Sequence, residues 1–180
     1  MPQISLHTPL GPLTLSEEDG ALVALDWGRG RDQTETPLLR RAADQLQDYM
    51  DGRRTGFDLP LNPMGSPFRQ RVWAALLAIP HGETRSYAEL ARELGTASRA
   101  VGGANGANPL PIIVPCHRVI GAGGSIGGYS GGDGLATKRW LLALERRTRA
   151  PRPAGADLLD DALSIPQERR RDRAPQEPHR

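Results

Sequence analysis

From Ile4 to Trp27 the chain alternates short apolar runs with turn residues, ISLHTPLGPLTLSEEDGALVALDW, broken at Pro9, Gly11 and Pro12 and again at Glu18, Asp19 and Gly20. Runs of this kind predict two or three antiparallel strands. The period then lengthens. Leu38, Leu39, Ala42, Leu46 and Tyr49 recur at helical spacing, with Pro37 in the first turn and Gly52 past the end, which predicts a helix. No cluster of potentially catalytic side chains falls in this β/α layer, so it reads as structural support. Pro60 to Pro63 reads as a linker. Beyond it, GSPFRQRVWAALLAI opens a second helix with Ser66 as N-cap and Pro67 in the first helical position. The stripe of Phe68, Val72, Trp73, Leu76, Leu77 and Ile79 assigns that helix to the core.

The next pattern is a helix-turn-helix. SYAELARELG holds a capping box, Ser86 with Glu89, and an apolar face of Tyr87, Leu90, Ala91 and Leu94 that ends at Gly95. After Thr96 and Ala97 comes SRAVGGANGAN, a helix made small-sided by Gly102, Gly103, Ala104, Gly106 and Ala107. Interior glycine costs roughly 1 kcal/mol relative to alanine, so something must offset it. Two explanations stand level. A helix stripped of side chains can approach a narrow surface, such as a DNA minor groove about 6 Å wide, or it can pack tightly on another helix.

LPIIVP is apolar and bounded by prolines, and it predicts a buried, extended segment delivering Cys116, the one cysteine of the chain. A lone cysteine is usually a small buried hydrophobe. Here His117 and Arg118 follow at once, and both can favour the nucleophilic thiolate over a thiol of pKa about 8.5. DGLATKRWLLALERR predicts a final helix with Leu135, Trp140, Leu141 and Leu144 toward the core. Glu145 falls late enough on it to reach back to an earlier loop and complete a Cys-His-Glu relay.

Composition narrows the classes. At 180 residues the chain can bury a real core in one domain or two small ones. No apolar run approaches the ~20 residues of a membrane helix, and MPQISLHTPL lacks the features of a secretory signal, so the expected location is the cytoplasm. A single cysteine forms no internal disulfide, and histidines at 7, 81, 117 and 179 have no ligand spacing; neither a metal nor another cofactor is expected. Charge is segregated: net −4 over residues 1–65, +3 over 66–145 and +3 over 146–180. That is weak support for a polyanion partner, since a solvated surface explains it as well. The segment from Arg149 on holds five prolines and ends QERRRDRAPQEPHR, which predicts a disordered basic tail with room for a short helix at ADLLDDALS.

PCHRVIG, preceded by RAVGGANGANPLPIIV and followed by GGYSGG and KRWLLALE, closely resembles the methylated-DNA protein-cysteine methyltransferases, also called O6-alkylguanine-DNA alkyltransferases. The likeness is dense from Ser66 to Glu145 and only general before it. It implies an α+β fold: a small N-terminal β/α, ribonuclease-H-like domain over residues 1–62, a mainly helical DNA-binding domain with the helix-turn-helix over 63–148, and a tail over 149–180. It also implies direct repair, in which the alkyl group of O6-methylguanine, or O4-methylthymine, moves irreversibly from DNA to the protein's own cysteine, once per molecule.

By the same resemblance Cys116 would be the acceptor, His117 the base acting through a water, and Glu145 the group that orients it. Asn108 would brace the turn before the cysteine, and Tyr87 would supply a proton to the departing guanine. Arg99 would replace the flipped base in the stack, with Ser98 and Gly102 on the same DNA-facing helix. Backbone groups of Cys116 and Val119, with Tyr129 and Ser130, would hold the guanine edge. The partner would be double-stranded DNA containing O6-alkylguanine, met through the minor groove by a monomer, with no membrane involved. Some members hold a structural zinc in the N-terminal part; the cysteines for it are absent here. Asp133 and Gly134 are extra residues before the last helix, which bears on the placement of Lys138. On the residues alone, two other classes stay open: a thiol hydrolase, which would turn over repeatedly and need an oxyanion hole, and a helix-turn-helix regulator, which would need a dimer interface.

Overall fold

The computed structural model describes residues 1–149. Strands β1 (Gln3–Thr8), β2 (Gly11–Glu18) and β3 (Ala21–Trp27) form an antiparallel meander in that order. Leu15 pairs with Leu25 and Leu13 with Trp27, so the alternation turns Leu13, Leu15 and Leu25 to one buried face. Helix α1 (Pro37–Met50), capped by the Thr36 hydroxyl accepting from Leu39 N–H at 3.1 Å, covers the sheet with Leu39, Ala42, Leu46 and Tyr49. The Pro60 to Pro63 stretch is no free linker. Leu22 N–H donates to Pro60 O at 2.9 Å and Asn62 N–H to Leu22 O at 2.8 Å, because the outer edge of β3 offers unpaired backbone groups.

The second half is mainly helical: α2 (Pro67–Leu77), α3 (Tyr87–Leu94), α4 (Ser98–Gly106) and α5 (Leu135–Thr148), with a short parallel pair, β4 (Arg85–Ser86) and β5 (Val119–Ile120). Helices α3 and α4 form the helix-turn-helix. Both sides of the Ser86–Glu89 capping box are made, and Gly95 closes α3 at φ +65°, where a side chain would be strained. One apolar cluster runs from Leu15 through Leu46, Trp73 and Leu90 to Leu141, so the sheet layer and the helical half share a core within one compact unit, Met1–Arg149. The α+β architecture is as expected.

Three local expectations are overturned. Leu77 is 51% exposed and Leu135 40% exposed: Leu77 lies 100° around α2 from buried Leu76, and Leu135 is the first residue of α5. LPIIVP is buried but is a tight turn rather than an extended run. Val114 N–H returns to Leu110 O at 2.8 Å, and Ile112 takes φ +74°. Prolines 109, 111 and 115 cannot donate to a ladder, and the Asn108 side chain closes the turn instead. The tail and its ADLLDDALS segment lie outside the described residues; α5 ends at Thr148, and Arg149 pairs with Glu83 at 2.9 Å.

Candidate active site

Glu145 is the most heavily bonded side chain of the site. Fully buried on α5, its carboxylate accepts from His117 Nε2 at 2.7 Å, Tyr49 Oη at 2.6 Å, Gly82 N–H at 3.1 Å, and Arg118 through Nε at 2.9 Å and Nη2 at 2.9 Å. Burial pushes the carboxyl up, but the His117 hydrogen bond and the Arg118 guanidinium outweigh it and hold the group well below the ordinary carboxylate range. Glu145 is therefore ionised. An ionised carboxylate only accepts, so His117 Nε2 carries a proton and Nδ1 is left as a bare acceptor. That Nδ1 is buried and has no hydrogen-bond partner among the described residues. Burial also holds the imidazole's pKa below its ordinary value, which keeps the ring a neutral base.

The thiol end is different in kind. Cys116 opens a short 3-10 turn, Cys116–Arg118, at the wall of a cavity of about 520 Å³, within the range of small-ligand sites. Burial pushes its thiol up; the Asn108 and Tyr129 side chains and the backbone N–H groups of Cys116 and Ile112 offset this only in part. Neither neighbour in sequence supplies a positive charge to the sulfur. His117 is neutral, and Arg118 turns away to Glu145 and to Ile79 O at 2.6 Å. The expectation that both favour the thiolate is thus corrected: burial raises the Cys116 pKa above its ordinary value, and the thiol is protonated.

Most of the other predicted positions fall around this cavity. Tyr87, Gly102, Asn108, Tyr129 and Ser130 line it together with Cys116. Asn108 donates to Val114 O at 2.8 Å and accepts from Leu110 N–H at 3.0 Å, tying the end of α4 to the cysteine turn. The Tyr129 hydroxyl is buried without an ordinary hydrogen bond among the described residues, and both burial and the nearby Cys116 sulfur raise its pKa. Ser98 and Arg99 are exposed in the first turn of α4, outside the cavity lining. Val119 also lies off the wall: its side chain is fully buried and its carbonyl accepts from Lys138 Nζ at 2.6 Å. Among the described residues no cluster of three or more His, Cys, Asp or Glu could hold a metal ion.

The small side of α4 can now be explained. A methyl group placed on Gly103 or Gly106 would meet nothing within 4 Å, and on Gly102 only the Tyr87 ring at 3.9 Å. Intramolecular packing runs through Val101 and Ala104 on the other side, with Trp73 Nε1 donating to Ala104 O at 2.9 Å. Of the two explanations for the glycines, close packing among the described residues is therefore not what demands them.

Two protein-family models meet on this chain: "6-O-methylguanine DNA methyltransferase, ribonuclease-like domain" over residues 3–63 and "6-O-methylguanine DNA methyltransferase, DNA binding domain" over residues 67–147. The chain belongs to the 6-O-methylguanine DNA methyltransferase family. The methylated-DNA–protein-cysteine methyltransferase of Mycobacterium tuberculosis is 48% identical over 159 residues, covering 82% of this chain and 93% of that one. The constitutive enzyme of that name from Bacillus subtilis is 46% identical over 153 residues, 78% and 92% of the two chains. Among solved structures, Mycobacterium tuberculosis OGT in complex with DNA superposes with a TM-score of 0.74 at 47% identity, covering 82% of this chain and 94% of that one.

In this member of the methyltransferase family, four site residues escape a reading of the sequence. Tyr49, taken as a core residue of a purely supporting layer, donates to the relay carboxylate from 96 positions away; its ring does pack, and only the hydroxyl signals more. Trp27 of β3 lines the cavity and backs the glycine loop, so that a methyl group at Gly131 would fall 2.8 Å from its ring. The first layer therefore contributes to the site, which corrects its reading as support alone. Lys138 is fully buried under that loop, donating to Val119 O and to Gly128 O at 3.3 Å. Asn105 of α4 is buried between Cys116 and Tyr87, and only its placement as a polar residue on a helix's inner face could have revealed it.

Proposed function

We propose that this protein repairs alkylated DNA directly, taking the alkyl group of O6-methylguanine onto Cys116 once per molecule. The observations that carry the reading are Cys116 at the cavity wall and, next to it in sequence, His117 with Nε2 held by Glu145 and Nδ1 free to accept, in a chain of this family. Sγ attacks the alkyl carbon; the S–C bond forms as the C–O6 bond breaks, and the electron pair passes into the guanine ring. The thiol proton goes to His117 Nδ1 through a water, and the imidazolium so formed sits against the ionised Glu145. Tyr87 gives its hydroxyl proton to the guanine ring, so the base leaves neutral. Tyr129, Ser130 and the backbone at Cys116 hold the base edge, while Val119, off the wall with its carbonyl bonded to Lys138, supports that backbone from behind; O4-methylthymine is a second substrate.

DNA is the partner, bound as a monomer through the minor groove by the outer face of α4. Gly102, Gly103 and Gly106 allow close approach, Ser98 touches the backbone, and Arg99 fills the gap left by the flipped base, offsetting an unstacking cost of a few kcal/mol. Residues 1–62 support and wall the site, while 63–148 carry the chemistry and the DNA contact. A free reactive thiol belongs in a reducing compartment, which places the reading in the cytoplasm; among the described residues no helix is long and apolar enough to cross a membrane.

Incubation with an oligonucleotide containing O6-methylguanine, followed by intact-mass and peptide mass spectrometry, tests the proposal. The expected result is one methyl group per chain, on the Cys116 peptide, and no further turnover. Cys116→Ser should bind the DNA and transfer nothing, a hydroxyl being a far poorer nucleophile than a thiolate. Repaired DNA with unmodified protein would overturn the reading.

A further inference from the structure

Asn105 is 7% exposed and faces into the site from α4. Its Nδ2 lies 3.3 Å from Cys116 O and 3.5 Å from Tyr87 Oη. A backbone carbonyl can only accept, so the contact with Cys116 O requires that the amide nitrogen, not the oxygen, be on that side. The same nitrogen faces Tyr87, whose hydroxyl must therefore accept from it. A hydroxyl that accepts along one direction has its own proton pointing along another, and the space beside Tyr87 is the cavity that Tyr87, Asn105 and Cys116 line together.

We infer that Asn105 is a positioning residue, holding the Tyr87 hydroxyl with its proton turned into the cavity and tying it through one amide to the backbone of the acceptor cysteine. The inference rests on the reading of Tyr87 as the proton donor to the departing base. When the Tyr87 O–H bond breaks and an N–H bond forms on the guanine ring, the electron pair stays on the phenolate oxygen, at which the Asn105 N–H already points. The hydrogen bond is thus stronger after the proton has left than before, and it assists the transition state more than the resting state. Burial raises the pKa of Tyr87, and the Asn105 hydrogen bond opposes that rise, in the direction a donor requires. The thiol proton meanwhile resides on His117, so phenolate and imidazolium balance.

A double-mutant cycle on the full-length protein tests this, with single-turnover transfer rates measured at saturating O6-methylguanine duplex and circular dichroism melts run on every variant. Tyr87→Phe should slow transfer. Asn105→Ala should slow it about tenfold when Tyr87 is present and have almost no further effect in the Tyr87→Phe background. Asn105→Asp keeps the shape but offers the hydroxyl an acceptor, so it should be slower than Asn105→Ala; a merely structural asparagine predicts the opposite order. If the alanine variant melts too low to assay, Asn105→Ser replaces it in the cycle. An Asn105→Ala loss of the same size in both backgrounds overturns the inference and leaves Tyr87 as donor. No slowing by Tyr87→Phe overturns both.

Discussion

Around Glu145 four residues converge on one buried carboxylate, with donors at 2.6 to 3.1 Å, whereas on the outer face of α4 Ser98, Arg99, Ala100, Gly103 and Gly106 are exposed and a methyl group added to either glycine would meet nothing within 4 Å. Both regions belong to the proposed site. The first holds His117 neutral and is bound into the core, so it cannot be changed without disturbing the fold. The second faces outward and carries none of the packing among the described residues, so it can be changed with little disturbance to the fold. Substitutions should therefore separate stability from repair in opposite ways at the two places.

Glu145→Gln should have the largest effect. It removes the negative charge but leaves Arg118 buried, and an unpaired buried charge costs about 3–5 kcal/mol, visible as a thermal midpoint lower by about 10 °C. Transfer should slow on the order of 100-fold as His117 loses its orienting partner. The pH dependence of stability gives a second check. Glu145's folded pKa is depressed, so its contribution is present above the unfolded value of about 4.3 and lost as pH falls below it. The His117 pKa is also lowered on folding, so the unfolded chain takes up that proton first, and stability begins to fall near pH 6.5. Melts of the wild type should decline through both windows, and those of Glu145→Gln should decline less below about pH 4.3. Parallel curves would mean that the cluster is not coupled to folding as described.

Tyr49→Phe keeps the ring against Phe57 and His81 and deletes one hydrogen bond to a charged acceptor, costing about 1.5 kcal/mol. With one donor fewer, the Glu145 oxygen accepts more strongly from His117 and raises its proton affinity. Arg118 and Lys138 oppose that protonation, and neither is altered. The acid limb of the pH–rate profile should move to higher pH. A uniform slowing at every pH would reduce Tyr49 to a packing residue.

The same contrast governs what the sequence makes legible. Periodicity and local end signals place β1 to β3 and all five helices, because Pro37, Ser66, Ser86 and Gly95 act within a turn of their own positions. PCHRV and the late Glu145 anticipate the His117–Glu145 contact at 2.7 Å, since neighbours in sequence and one helix suffice. What is missed depends on partners far along the chain: the hydroxyl of Tyr49 looks apolar in a helical stripe, and Arg118 looks like the cysteine's cation until Glu145 claims it. The all-apolar LPIIVP shows no periodicity, so its turn, and the left-handed Ile112 within it, are invisible. Strands β4 and β5 are two residues each, Arg85 beside Val119 and Ser86 beside Ile120, too short for any alternation to announce them.

On α4 the expected signs reverse. Gly103→Ala adds a methyl group into open space inside a helix and should stabilise the protein by about 0.5–1 kcal/mol. Affinity for lesion duplex should fall at the same time, because the added group stands on the face proposed to meet the groove. Higher stability with unchanged DNA affinity would remove Gly103 from the interface.

Arg99→Ala should barely alter stability, within about 0.5 kcal/mol, as is usual for an exposed side chain. Its effect should appear only where a base must leave a stack. With O6-methylguanine in duplex DNA the guanidinium has a gap to fill, so the single-turnover rate should drop. The free base O6-benzylguanine is already outside any helix and needs only Cys116, His117 and the cavity, so its rate should be unchanged. Measured side by side, the two rates isolate the flipping step from the chemistry. If both fall by the same factor while the melt is unaltered, Arg99 acts on the nucleophile across the cavity wall, and the outer face of α4 loses its assignment to DNA.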